Sequence, residues 1–398
     1  MKKRFSTLAL IIACVLSFLL AGLCITGIFV IKYGGMDSFP YASKFAAIYN
    51  AIDSDFVGGA DMEKVSDAAY GAMIDAIDDR WSYYMTAEQY EEYKQYQNNS
   101  YTGIGVTIGK DEDSGLFRVL TVLEDSPAQE AGVNVGELMC AIDGEDLKDM
   151  TSSQIKELIS GKTGKSFELK LRTDDGTERT VTIEAEVIRS NPVEYEMLDG
   201  AVGYVRIKNF ESDSGDEIIA AVDDLVSQGA KGIVFDVRNN PGGLLSELLK
   251  ALDHILPEGD IFVSADKEGN ERVKTSDASC VKLPMTVLIN ENSYSAAEFF
   301  AAALSEYDWA KLVGGNTTGK ARSQVTFELT DGSAIHISTN SYLTPKRVDL
   351  AETGGLVPDV AVSLGDEDEE KLESGLLEHS EDGQLSAAVE EINTLIDK

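Results

Sequence analysis

The chain has 398 residues, of which 43% are hydrophobic and 26% charged, so it is too long for one ordinary domain and too apolar to be mainly disordered. Its 34 Lys and Arg against 69 Asp and Glu give a net charge of −35, which repels phosphate backbones and argues against a nucleic-acid partner. The 4 cysteines and 3 histidines lack the spacing of a zinc site, so neither a metal nor another cofactor is expected.

The N-terminal segment is basic and then apolar. Lys2, Lys3 and Arg4 precede an uncharged run over residues 5–31. As a helix this run would be longer than a hydrocarbon core of ~30 Å. We therefore predict a transmembrane anchor at 5–31, with residues 1–4 in the cytoplasm and the rest outside, as in a single-pass protein of the cell membrane. A cleaved signal peptide is the alternative, and whether the segment is removed stays open.

Residues 36–98 are predicted to form a small helical region. Apolar residues recur there at helical spacing, as Phe45 and Ile48 do. Further along the chain the pattern changes to short alternating apolar runs, which are typical of strands. One helical stretch, 152–159, interrupts these runs. We expect a compact β-rich module over residues 99–188.

The third part, residues 189–364, is predicted to be a layered α/β domain, because apolar strands alternate with amphipathic helices. These elements span residues 202–207, 215–228, 233–237 and 244–256. The tail, 365–398, begins with an acidic run and ends in apolar residues at helical spacing, so a terminal helix is expected. It could pack on the core, on the N-terminal helices or on a second subunit. The fold class is thus multidomain α/β.

Residues 314–320 read Gly-Gly-Asn-Thr-Thr-Gly-Lys and fit the G-x-x-x-x-G-K pattern of a phosphate-binding loop. Two features argue against that interpretation. Ala321 stands where Ser or Thr should hold magnesium, and the next residues, 325–329, are typical of a strand where a helix should begin. A nucleotide site is therefore a distant alternative. Lys320 itself lies in a glycine-flanked turn between apolar strands, where burial is expected.

Two other turns each allow an ordinary and a catalytic interpretation. Residues 236–243, Asp-Val-Arg-Asn-Asn-Pro-Gly-Gly, could be a plain strand-to-helix connection or a glycine turn that serves as an oxyanion hole. Ser295 and Glu298 fit a capping box worth about 1 kcal/mol to a helix. A serine at a helix N-terminus is also placed where amides and the helix dipole stabilise an oxyanion. For this second turn both interpretations can hold.

A serine nucleophile needs a base, and none of the histidines falls in a turn beside these motifs. A buried lysine can replace histidine if its pKa falls from ~10.4 to about 7 or 8, which costs about 3 to 5 kcal/mol. Lys320 is the lysine in such a setting. The residues alone therefore make Ser295 and Lys320 a candidate pair.

Taken together and in order, the three turns resemble the carboxyl-terminal processing peptidases, a family of serine endopeptidases with a Ser/Lys dyad and an inserted PDZ domain. The matching segments are D-x-R-N-N-P-G-G at 236–243, S-x-S-A-x-E at 293–298 and G-K-x-x-x-Q at 319–324. The resemblance implies an α/β core of the crotonase/ClpP-like type. It also implies these roles: Ser295 as nucleophile, Lys320 as general base, Gln324 as the residue that orients the lysine, and the amides of Gly242 and Ala296 as the oxyanion hole.

The β-rich module is similar to the PDZ domain of this family. Residues 101–106, Tyr-Thr-Gly-Ile-Gly-Val, resemble its carboxylate-binding loop. Such a loop offers backbone amides to a C-terminal carboxylate while the peptide adds as a strand. The resemblance therefore implies substrate binding by Gly103, Ile104, Gly105 and Val106.

The leading hypothesis is a membrane-anchored endopeptidase that acts outside the cytoplasm on the C-terminal regions of proteins, with the PDZ domain recognising free C-termini. The alternative is an inactive PDZ adaptor on a degenerate peptidase core, because Tyr294 stands beside the nucleophile where a small residue is frequent. The sequence leaves a homo-oligomer open.

Overall fold

The computed structural model describes residues 7–33 and 37–396. The chain divides into two compact units, one ending at Arg80 and the other beginning at Trp81. The first unit contains the helices α1 (Thr7–Tyr33), α2 (Phe39–Asp55) and α3 (Met62–Asp75). The carboxylate of Asp61 caps α3 by accepting a hydrogen bond from the Lys64 amide, at 3.3 Å. Helices therefore form where the apolar residues recur at helical spacing.

The N-terminal segment does not satisfy the prediction of a membrane anchor. Within the described ranges, no helix combines the length and the apolarity needed to cross a membrane. This finding contradicts the transmembrane helix predicted at 5–31 and the single-pass membrane location based on it.

The second unit opens with the strand β1 (Tyr83–Met85) and the helix α4 (Ala87–Gln97). A capping box starts α4. The Thr86 hydroxyl accepts from the Gln89 amide at 3.3 Å, and the Gln89 side chain accepts from the Thr86 amide at 3.0 Å.

A β-rich module follows, as the alternating runs predict. Its elements are β2 (Ser100–Gly103), β3 (Val106–Lys110), β4 (Phe117–Val122), α5 (Pro127–Glu130), β5 (Leu138–Ile142), β6 (Glu145–Asp146), α6 (Ser152–Ser160), β7 (Ser166–Arg172), β8 (Glu178–Glu184) and β9 (Glu186–Arg189). The main sheet has the order β3-β4-β5-β7-β8, so β3 is an edge strand. Side chains of α6 pack on the apolar face of this sheet and close its core.

An α/β domain occupies the rest of the chain. Its elements are β10 (Val193–Leu198), β11 (Val202–Ile207), α7 (Ser214–Ser227), β12 (Gly232–Asp236), α8 (Leu245–Ile255), β13 (Gly259–Ala265), β14 (Glu271–Ser276), β15 (Met285–Ile289), α9 (Ala296–Glu306), β16 (Ala310–Gly314), β17 (Arg322–Glu328), β18 (Ala334–Leu343), α10 (Leu350–Thr353), β19 (Val360–Ala361), α11 (Asp366–Ser374) and α12 (Gly383–Ile396). The multidomain α/β class is thus observed, while the predicted domain boundaries stay a prediction.

The central sheet has the order β10-β11-β12-β15-β16-β19, with every pairing parallel except that of β10 with β11. Successive side chains of its strands point to opposite faces. One face, including Phe235 and Val287, packs on α7, α8 and α9. A second sheet, β1-β18-β13-β14 with β17 on β18, adjoins this domain. Because parallel strands end at the same edge, the turns after β12 and β15 meet there.

The terminal helix α12 packs on the other face of the central sheet, which decides among the three alternatives left by the sequence. Leu385 and Ile392 lie against Val234 and Leu288. The guanidinium of Arg238 connects this helix to the motif at 236–243, because it is held by Asp236 at 2.6 Å and, from the start of α12, by Asp382 at 2.7 Å and Gln384 at 2.9 Å. The acidic tail therefore ends in a core element.

Candidate active site

Ser295 stands at a strained turn between β15 and α9. Its backbone has φ 57° and ψ −123°, outside the regions that a residue with a side chain normally adopts, and such strain costs about 1 to 3 kcal/mol. A buried hydrogen bond from the Ser293 hydroxyl to the Val237 carbonyl, at 2.7 Å, holds the turn to the end of β12. A serine on a strained strand-to-helix turn is the arrangement that exposes a nucleophile in other hydrolases. A simple helix cap does not need this strain.

The fully buried carboxylate of Glu298 connects the turn of Ser295 to the turn of Lys320. One oxygen, Oε2, accepts from the Ser295 amide at 3.0 Å and from the Lys320 amide at 2.8 Å. The other, Oε1, accepts from the Thr317 hydroxyl at 2.5 Å and the Gly319 amide at 2.6 Å. The sequence interpretation assigned Glu298 to the capping box alone. Its larger role is to fix the two candidate catalytic residues relative to each other.

Lys320 is half-buried, and its amine lies among aromatic rings. Its Nζ is 4.4 Å from the ring centre of Trp81 and 5.6 Å from that of Tyr294. The two rings are 5.7 Å apart. Cation–π contact favours the ammonium form, whereas burial favours the neutral amine. The departure at Tyr294 therefore places an aromatic ring beside the candidate base.

Gly242 and Ala296, the predicted oxyanion pair, are adjacent in space. Gly242 has φ +90°, and a β-carbon there would lie 2.8 Å from the Ala296 nitrogen and 2.8 Å from the Ser295 Cβ, so only glycine fits. The Gly242 amide donates to the Asn240 side chain at 2.8 Å. Binding of an oxyanion by Gly242 would require exchange of this hydrogen bond, and the role stays a prediction.

Gln324 lies on β17 and lines the same cleft as Ser295 and Lys320. Its Nε2 donates to the Arg322 carbonyl at 2.9 Å and to the Ser338 hydroxyl at 3.1 Å. The structure thus brings Gln324 to the site. Its predicted role in orienting the lysine stays a prediction.

The cleft that contains Ser295 and Lys320 has a volume of about 690 Å³. Two residues that the sequence interpretation did not place there, Glu211 and His336, also line it. Burial, with a smaller effect of the Lys320 charge, lowers the pKa of His336 to about 4, so this ring is neutral at physiological pH. Nothing in the local sequence indicates either residue, because each reaches the cleft from a distant element.

The phosphate-loop interpretation of residues 314–320 is not supported, since the backbone amides of its last four residues, 317–320, already have acceptors. Glu298 takes those of Gly319 and Lys320. The Thr317 and Thr318 amides donate to the Leu356 and Ser293 carbonyls, at 3.1 and 3.3 Å. A phosphate would have to displace these hydrogen bonds.

The predicted carboxylate loop lies at one end of a groove between the edge strand β3 and α6. Gly103, Ile104, Gly105 and Val106 line this cavity of about 310 Å³. Gly105 has φ +81°, and a β-carbon there would lie 2.3 Å from the Cβ of Ser126. The groove can take an added strand, as peptide-binding modules of this type do.

Comparison with known proteins identifies both folded parts of the second unit. Residues 201–362 match the model of peptidase family S41, and residues 118–173 match that of the PDZ domain. The carboxy-terminal processing protease CtpA of Bacillus subtilis is 31% identical over 81% of this chain and 69% of its own length. A protein assigned as a CtpA-like serine protease in Staphylococcus epidermidis is 30% identical over 80% of this chain and 65% of its own length. The chain thus spans less than two thirds of that relative.

A solved structure supports the fold, and a second is reported beside it. A protein from Bacteroides fragilis assigned to the S41 proteases aligns with a TM-score of 0.58 at 18% identity, over 82% of this chain and 90% of its own. The photosystem II D1 C-terminal processing protease aligns with a TM-score of 0.49 at 25% identity, over 80% and 92%. The matches to the family model and to the CtpA relatives show that the chain belongs to peptidase family S41, among the CtpA-like serine proteases with a PDZ domain.

Proposed function

We propose that the chain is a serine endopeptidase that cleaves protein substrates in their C-terminal regions, with Ser295 as nucleophile and Lys320 as general base. The observation that carries this proposal is the buried Glu298 carboxylate, which accepts amide hydrogen bonds from both residues. A helix cap would not need a hydrogen bond to the lysine turn. The CtpA relative is itself named a carboxy-terminal processing protease, which supports the same activity here.

In the proposed mechanism, neutral Lys320 takes the proton of the Ser295 hydroxyl as the oxygen attacks the scissile carbonyl carbon. The resulting oxyanion accepts a hydrogen bond from the Ala296 amide at the N-terminus of α9, with Gly242 as the second donor. The lysine ammonium then gives its proton to the leaving amine. Water then attacks the acyl carbonyl carbon while neutral Lys320 takes its proton. The bond to the Ser295 oxygen breaks, and the lysine ammonium returns the proton to this oxygen.

Tyr294 bears on the inactive-adaptor alternative. Its ring lines the cleft together with Ser295, and the cleft keeps a volume of about 690 Å³. The ring therefore leaves room in the cleft that Ser295 lines. We favour the active enzyme for this reason.

The direct test of the proposed activity is to incubate the chain with a C-terminally tagged, denatured protein and identify the fragments by mass spectrometry. Fragments that begin close to the tag would support C-terminal processing. A parallel reaction with a serine-directed activity probe should label Ser295. Intact substrate together with an unlabelled serine would favour the adaptor.

We also expect the groove between β3 and α6 to select free C-termini. A peptide with an amidated C-terminus should bind more weakly than its free-acid counterpart, by about 10-fold or more, because the loop amides lose a charged acceptor. Isothermal titration of the two peptides measures the difference. The control is the Gly105→Val variant of the protein. Its valine side chain would meet Ser126 and so weaken binding of both the free-acid and the amidated peptide. Equal affinities for acid and amide on the wild-type protein would contradict carboxylate recognition.

A further inference from the structure

A buried carboxyl group in the cleft has no part in the mechanism above. The side chain of Glu211 is only 5% exposed, and it lines the cavity that contains Ser295 and Lys320. Its Oε2 has no hydrogen-bond partner within the described part of the chain. Burying such an oxygen without a partner is costly, so a ligand that supplies the missing donor is the natural explanation.

The backbone fixes Glu211 beside the predicted oxyanion turn. The Phe210 amide donates to the Gly242 carbonyl at 2.7 Å, and the Leu244 amide donates to the Phe210 carbonyl at 2.7 Å. The Glu211 amide in turn donates to the Asn209 side chain at 2.9 Å. Glu211 thus directly follows the segment that pairs with the turn beside Ser295. A substrate side chain next to the scissile bond would therefore pass close to Glu211.

Aromatic rings form the surroundings of this carboxyl group. Tyr83, Tyr93 and Tyr96 line the same cavity. Burial raises the pKa of each of these phenols, and the charge of Glu211 adds to the rise in all three, which reflects its proximity to them. Ring faces attract cations and pack against the methylene stem of lysine or arginine. A carboxylate among such rings is suited to a basic side chain.

Lys320 is the nearby cation that acts on Glu211. Its charge lowers the pKa of this carboxyl group, but burial has the larger effect and the pKa is raised to about 7. A general base must be neutral when it takes the serine proton, so Lys320 cannot compensate the carboxylate at that step. A cationic group of the substrate can.

We propose that Glu211 is a specificity-determining residue, which binds a lysine or arginine side chain of the substrate next to the scissile bond. This inference rests on the proposed peptidase function, whose substrate preference it specifies. An aliphatic or acidic side chain at the same position would leave Oε2 without a donor. Such substrates are cleaved more slowly.

The test uses peptides of one neutral sequence with identical free C-termini, in which a single arginine, norleucine or glutamate is moved along the residues around the cleavage site. We expect kcat/KM of the wild-type chain to be about 10- to 100-fold higher for arginine than for norleucine at one position, the range expected for a charged hydrogen bond. Glu211→Gln should reduce this preference to less than about 3-fold, while Glu211→Asp, which keeps the charge, should retain part of it. Glu217→Gln, an exposed change on α7, is the matched control and should leave the preference unchanged.

The outcomes separate the two proposals. If neither these peptides nor a denatured protein is cleaved, the peptidase function is overturned, and this inference with it. Cleavage without a preference for arginine at any position would overturn the inference alone. So would an arginine preference that survives in Glu211→Gln.

Discussion

Ser295→Ala is expected to lower kcat/KM on a denatured protein substrate by about 10⁴- to 10⁶-fold, because the residue that forms the acyl-enzyme is removed. Folding should change little, with a loss of about 1 kcal/mol from the helix cap. Cleavage assays and thermal unfolding of the same preparation measure both effects. Ser305→Ala, the same substitution near the other end of α9, is the matched control and should keep full activity.

The strained backbone of Ser295 provides a second test of the same assignment. Glycine adopts positive φ without penalty, so Ser295→Gly should match the stability of the wild-type chain or exceed it by up to ~1 kcal/mol. It should be as inactive as Ser295→Ala. A residue whose purpose is capping would lose stability on this change and keep activity. Turnover above background in either Ser295 variant would remove the serine from the mechanism.

The motifs of the candidate site lie in turns that follow parallel strands, so the sequence could predict that these turns lie close together, while the roles of their residues stay predictions. Once β12 and β15 are recognised as neighbours, the turns that carry Gly242 and Ser295 must meet at one edge of the sheet. The third motif, which follows the other two along the chain, adds Lys320 to the predicted site. These relations depend on strand periodicity and glycine positions, which are local properties of the sequence.

Other parts of the site depend on contacts between distant residues, which local patterns do not contain. Glu298 meets its partners 19 to 22 residues further along the chain, so its capping motif gives no hint of the bonds to Thr317 and Lys320. Glu211 becomes a cleft residue only because its segment pairs with the turn at Gly242. The N-terminal run is the opposite case. Its length, its lack of charge and the basic residues before it predict a membrane anchor, which the described part of the structure contradicts.

Lys320→Arg is expected to abolish cleavage although it keeps the positive charge. A general base must lose its proton, and arginine, with a pKa above ~12, stays charged in any site. The guanidinium can still stack on the rings of Trp81 and Tyr294, so the variant should unfold close to the wild-type temperature. The measurement is kcat/KM beside thermal unfolding. Lys311→Arg, on the strand that leads to the same turn, is the matched control and should remain active.

The pH dependence of the wild-type chain tests the same role of Lys320. If the neutral amine is the base, kcat/KM rises with pH as the lysine loses its proton. Burial raises the pKa of Glu211 to about 7, so this carboxyl ionises in the same range, and its negative charge favours the ammonium form of Lys320. Glu211→Gln removes that charge and should move the rise to lower pH on a peptide without basic residues. An active arginine variant, or a wild-type profile that is flat from about pH 6 to 9, would exclude Lys320 as the base and leave the proton of Ser295 to another group.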